Sequence, residues 1–266
     1  MFVLERGVCL ARGRSYSVPI TPLIRFCDDW LANDKTHRGD GAMLSMAILR
    51  RDLDSLFDAV RSRCDSYRVI DIGSKVAEEI ETTINHFYDK WLNTWTTAIG
   101  EGQERSLPAY VDILVTHTRL STYGGVINHP TAPHEVKRLF RASALSSALN
   151  VMRAAIQGEK SLSSMPNNTV IMICFAACVA VQLSTAPTGT NSQLAPSIFH
   201  LVDETADVLD RIGNITPHRK GASITYAKYL KELLSQASNR SQTHDALTNA
   251  PEEHFLLWMQ TSPVQL

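Results

Sequence analysis

The stretch "NTVIMICFAACVAVQLS" contains an unbroken apolar run from Val170 to Val181. A helix with this composition has no face suited to water, so the fold must supply apolar neighbours on every side. Crossing a bilayer takes about 20 consecutive apolar residues. Here Gln182 ends the run, and Ser184, Thr185 and Pro187 follow. The expectation is therefore the central helix of a soluble bundle, capped at its start by Asn168 or Thr169.

Cys174 and Cys178 lie one helical turn apart on one face of that run. A structural zinc site takes four ligands, typically from two C-x2-C knuckles. The spacing here is C-x3-C, and Cys9, Cys27 and Cys64 provide no second pair. A reactive thiol needs a cationic, partly exposed setting, whereas Met172, Ile173, Phe175 and Val179 surround these two. Both read as core residues, with redox switching as the alternative. The odd, scattered set of five cysteines points to a reducing compartment. Glu5 and Arg6 interrupt the N-terminal apolar residues, against a signal peptide.

Apolar residues recur at helical spacing along most of the chain. A first stripe after Pro19 runs Ile20, Leu23, Ile24, Cys27 and Leu31. A second starts near Asp40 with Ala47, Leu53, Leu56, Phe57, Val60 and Cys64. A third, Val76 through Ile80, Ile84, Phe87, Trp91, Trp95 and Ile99, stops at Gly100 or Gly102. Pro108 opens a helix that ends near Gly124-Gly125, and Pro133 opens another that ends at Gly158. Beyond the apolar run, one helix closes at Gly213 and another spans about His218 to Leu234. Strand alternation is nearly absent. The fold class is all-α, a bundle of about eight helices without significant β-sheet.

Residues 1–234 form the helical domain on this reading. The stretch 235–250, "SQASNRSQTHDALTNA", is polar and reads as a linker. Residues 251–266 join two acids to Phe255, Leu256, Leu257, Trp258 and Met259, the composition of a short activation segment. Such a segment docks as an amphipathic turn into a coactivator groove, or folds back onto its own bundle.

A net charge of −1 argues against nucleic-acid binding by the chain as a whole. Arg50-Arg51 and Lys137-Arg138-Arg141 are local basic clusters of the kind helical surfaces commonly carry. "CDDWLAND" invites comparison with the aspartate-rich helix of terpene cyclases, where D-D-x-x-D converges carboxylates on magnesium. Here Ala32 takes the last position, and the second metal-binding triad has no match. No H-E-x-x-H, G-x-S-x-G or P-loop is present. Trp91 and Trp95, one turn apart, are the candidate floor of an effector pocket, although that spacing within an apolar stripe more often marks a core.

In their order, several stretches resemble the regulatory ("middle homology") domain of fungal zinc-cluster transcription factors. "HFYDKWLNTW" is similar to that family's W-x-x-x-W helix, and "LPAYVDILVTHTRLSTYG" to the helix that follows. "ASALSSALNVMRAAI" resembles its small-residue helix and "NTVIMICFAACVAVQL" its apolar F-A-A helix. "VDETADVLDRIGNITPHRKGASITYAKYLKELL" looks like the closing helices of the subgroup that includes the leucine-biosynthesis regulator and the secreted-protease activator. The resemblance covers about Ile72 to Leu234. It implies a nuclear transcription regulator without catalytic activity. Partners would be transcription machinery or a coactivator through the C-terminal segment, and a possible second copy in a homodimer. The family's DNA-binding cluster, C-x2-C-x6-C twice over with two zinc ions, has no counterpart here. Zinc and DNA contact would belong to a missing N-terminal part, and no cofactor is expected in this chain. The other readings are a terpene-cyclase-like enzyme acting on a prenyl diphosphate and a helical interaction scaffold.

Overall fold

The computed structural model describes residues 1–11, 15–32, 39–68, 72–103, 105–185, 195–215 and 221–243. Among these, nine α-helices and two 3-10 turns make up the regular structure. They are α1 (Phe2–Ala11), α2 (Pro22–Arg25), α3 (Asp40–Asp65), α4 (Gly73–Ile99), α5 (Ala109–Ile127), α6 (His134–Gln157), α7 (Asn167–Thr185), α8 (Ala195–Ile215) and α9 (Ala222–Thr243), with the 3-10 turns at Cys27–Ala32 and Glu159–Ser164. The only extended pairing among the described residues is one bridge between Glu101 and Ser106. The all-α architecture read from periodicity is the architecture observed.

Helix α7 is the centre. It touches α1, α5, α6, α8 and α9, and from Asn168 to Val181 every residue is buried. Ala176, Ala177 and Ala180 have no exposed surface, so their small side chains let neighbouring backbones approach closely. The helix also runs past the apolar run. Ser184 Oγ and Thr185 Oγ1 donate to the Val181 carbonyl at 2.8 and 3.0 Å, which satisfies the polar end locally. The resulting 19 residues are long and apolar enough to span a membrane by length and composition, longer than the sequence run suggested. In the bundle, 83% of that window is buried against other helices.

Around this axis, α5 packs on α6 and α8 on α9, while α3 and α4 close one side. Pro108 and Pro133 stand just before α5 and α6, where their fixed φ suits a helix start. Gly100 ends α4: a Cβ there would lie 2.3 Å from the Thr96 carbonyl oxygen and 2.5 Å from that of Arg105. Gly213 does not end α8, which continues to Ile215; a Cβ there would instead lie 2.6 Å from Ile224 Cγ1 of α9.

The N-terminal third departs from the sequence expectation. The stripe after Pro19 yields only the single turn of α2 and the 3-10 turn Cys27–Ala32. No residue of α2 is buried, and Leu23 and Phe26 stay exposed. Periodicity without a surface to cover does not sustain a helix. Conversely, α1 forms over the segment read only for its lack of a signal peptide, burying Phe2, Arg6 and Gly7. At the other end, α9 continues to Thr243, into the stretch read as a linker, and Ala237 is buried.

Candidate functional site

Polar side chains converge inside the bundle from α1, α3, α4, α5 and α7. On α3, Arg50 occupies the register Met46, Arg50, Leu53, Phe57, and Leu49 and Leu53 beside it have essentially no exposure. That register carries the guanidinium inward. Arg50 is 1% exposed, and none of its three guanidinium nitrogens has a hydrogen-bond partner. This corrects the expectation that the Arg50-Arg51 pair lies on a helical surface. Only Arg51 faces outward, where it pairs with Asp28 and Asp52.

His117 of α5 lies between buried Leu114 and Leu120 and has no exposed surface. Its ring meets Phe175 of α7 edge-on, with centroids 5.3 Å apart, and neither ring nitrogen has a hydrogen-bond partner. Asn168, in the first turn of α7, is buried with its Oδ1 unpartnered. Gly7 of α1 lies over both: a Cβ added there would be 2.9 Å from Asn168 Nδ2 and 3.5 Å from Arg50 Nη2. Tyr88 of α4 is fully buried, and its hydroxyl lies 3.2 Å from Thr122 Oγ1. Thr122 itself donates to the Thr118 carbonyl at 2.9 Å, so Tyr88 is the donor in the first contact.

Burial disfavours every charged form in this cluster. It pushes Tyr88 up to about 12. His117 falls to about 3 through burial and then through the nearby Arg50 charge. Burial also lowers Arg50, to about 10, which leaves it cationic at neutral pH. The other cation close by, Arg6, is compensated: its Nη1 lies 2.6 Å from Asp54 Oδ2, and its guanidinium stacks over Phe2 and Tyr16 at 4.9 and 4.1 Å. Tyr16 is held neutral, raised chiefly by burial. Among the described residues, Arg50 is left inside the apolar bundle as a positive charge with no paired carboxylate. Removing one partner from a buried ion pair costs about 3–5 kcal/mol because it leaves such a charge behind. Arg50, His117 and Asn168 thus hold unpartnered hydrogen-bond donors and acceptors inside the bundle.

The residues singled out from sequence fall elsewhere. Trp91 and Trp95 are buried on α4, with ring centroids 6.3 Å apart and a tilt of 37°. Trp91 Nε1 donates to the Ser45 carbonyl at 3.1 Å, and both indoles belong to the buried hydrophobic cluster. Asp28, from the aspartate-rich stretch, is held by Arg51, which keeps its carboxyl below the usual range. Cys174 and Cys178 are buried free thiols, and burial with the adjoining Cys178 pushes the Cys174 thiol well up. Phe255, Leu256, Leu257, Trp258 and Met259 lie outside the described residues. No cluster of three potential metal ligands occurs among the described residues.

Arg50 and His117 are the residues that sequence reasoning missed. The signal is a positional conflict: each is a polar residue at a core position of an apolar stripe. The five stretches quoted for the regulatory-domain resemblance fall on α4, α5, α6, α7 and the α8–α9 pair, in that order. Comparison of the chain with protein-family models, with curated proteins and with solved structures returns no match.

Proposed function

We propose that this chain is the helical regulatory region of a fungal zinc-cluster-type transcription factor, acting in the nucleus and without catalysis of its own. The observation that carries the reading is the ordered set of helical phrases between Ile72 and Leu234. Its support from the architecture is that each quoted phrase up to α7 occupies one helix, and the closing phrase spans α8 and α9. DNA contact and zinc belong to a part of the regulator outside this chain. The segment 251–266 serves as the activation surface, with Phe255, Leu256, Leu257, Trp258 and Met259 as anchors in a coactivator groove and the neighbouring acids keeping it soluble. Effector binding shifts the bundle between a state that masks this segment and one that releases it.

A tethered reporter tests the proposal. Residues 235–266 fused to a heterologous DNA-binding domain are expected to activate transcription, and Leu257→Ala with Trp258→Ala to abolish the signal. Silence of the fusion removes the activation role. Magnesium-dependent turnover of a prenyl diphosphate, lost in Asp28→Ala, would establish the enzymatic alternative instead.

A further inference from the structure

The buried cationic cluster under α1 carries an assignment of its own. Three unpartnered guanidinium nitrogens, two unpartnered imidazole nitrogens and the unpartnered Asn168 Oδ1 are polar groups at 1%, 0% and 7% residue exposure. Buried polar groups in folded proteins are nearly always hydrogen-bonded, and exceptions of this density call for a partner. Among the described residues, the groups whose charge or titration bears on Arg50 are Arg6, Tyr16, Tyr88 and His117, and none of these supplies a negative charge at neutral pH. Asp54 is already engaged by Arg6.

We infer that Arg50, His117 and Asn168 form the binding site of a small organic carboxylate that carries a hydrogen-bond donor close to its carboxyl group. Arg50 receives the carboxylate, for which its planar fork of N–H groups has the matching bidentate geometry. One compensating charge is required, which suits a single carboxylate better than a phosphate dianion. The neutral His117 ring has one donor and one acceptor nitrogen, and Asn168 Oδ1 is a second acceptor, so the ligand brings a hydroxyl or N–H to meet them. Helix α1 forms the cover of the site. It rests on α3 and α7 and approaches Arg50 and Asn168 through a residue without a side chain, Gly7. Ligand exchange then requires α1 to lift, which breaks the Arg6–Asp54 pair and the contacts of Glu5 with Ser17 and Val18.

The assignment deepens the regulatory reading by giving an effector its place and its chemistry. Binding to the purified chain is nevertheless measured without any reporter, so the two fail separately. The probes are glycolate, acetate, inorganic phosphate and chloride as sodium salts at matched ionic strength, read by melting temperature and by isothermal titration. Glycolate is expected to raise the melting temperature saturably and more than acetate, with chloride and phosphate weaker than either. Arg50→Met is expected to weaken glycolate binding by about tenfold or more. Asn168→Asp, which installs a carboxylate beside Arg50, is expected to raise the melting temperature without ligand and to abolish the glycolate response. That variant decides the question if Arg50→Met does not fold. A glycolate response equal in wild type and variants, phosphate as the strongest probe, or no carboxylate-specific shift in the wild type would overturn the site.

Discussion

At the residue scale, the buried imidazole of His117 ties stability to pH. Its folded-state value of about 3 lies below the unfolded value of about 6.5. Between these values the unfolded chain takes up a proton that the folded chain refuses. The stability from keeping this ring neutral is thus fully present above about pH 6.5 and is lost as pH falls toward about 3. Across that window wild type is expected to lose stability faster than His117→Leu, by up to about 1.4 kcal/mol per pH unit for one proton. Urea unfolding in carboxylate-free buffers measures the difference, and parallel pH profiles for the two proteins would count against a buried neutral ring. The comparison with the variant is needed because carboxylates also contribute. Asp28 and Glu159, both lowered, lose their stabilising effect at the acid end. Asp112, raised by burial, acts in the opposite sense.

At the element scale, what could be read from sequence depended on whether periodicity had a surface to cover. Helices α3, α4 and α6 begin or end close to Asp40, Gly100, Pro133 and Gly158, because their stripes meet neighbours and their boundaries carry proline or glycine. The stripe from Ile20 to Leu31 has the same pattern but no buried face within α2, and it stays short. Gly213 shows a different limit. In sequence a glycine late in a helix looks like a stop, whereas here it lets the start of α9 pack closely on α8. A Cβ at that position would meet Ile224 Cγ1 at 2.6 Å and Ser223 Cβ at 3.2 Å. Gly213→Ala is expected to push α9 outward and to destabilise the protein by about 1–3 kcal/mol, despite the better helix propensity of alanine. The denaturation midpoint reads the effect, and a stabilised variant would mean the contact yields freely. The Arg50 site was illegible for a related reason. Sequence reports that an arginine stands among apolar residues, but not whether its long stem bends to water or carries the charge inward. Only the convergence of α1, α3, α5 and α7 settles that.

For the whole molecule, burial of α7 makes its thiols reporters of global opening. Cys174 and Cys178 are 1% and 9% exposed, and five neighbouring helices cover α7. Both are expected to label with a thiol reagent at the rate of global unfolding, with protection lost in one step as urea rises. Fast labelling of the pair in native buffer would show local access and restore the redox alternative. The same centrality has a consequence during synthesis. Residues Asn167–Thr185 are complete before α8 and α9, two of the helices that cover them, have been made. At ordinary elongation rates the ribosome needs on the order of several seconds to add that remaining stretch. For that interval the faces of α7 that α8 and α9 cover in the finished bundle lack those partners, on a helix of membrane-spanning length and composition. The factors that inspect emerging polypeptides, chaperones and targeting particles alike, thus meet a signal that the finished bundle no longer presents.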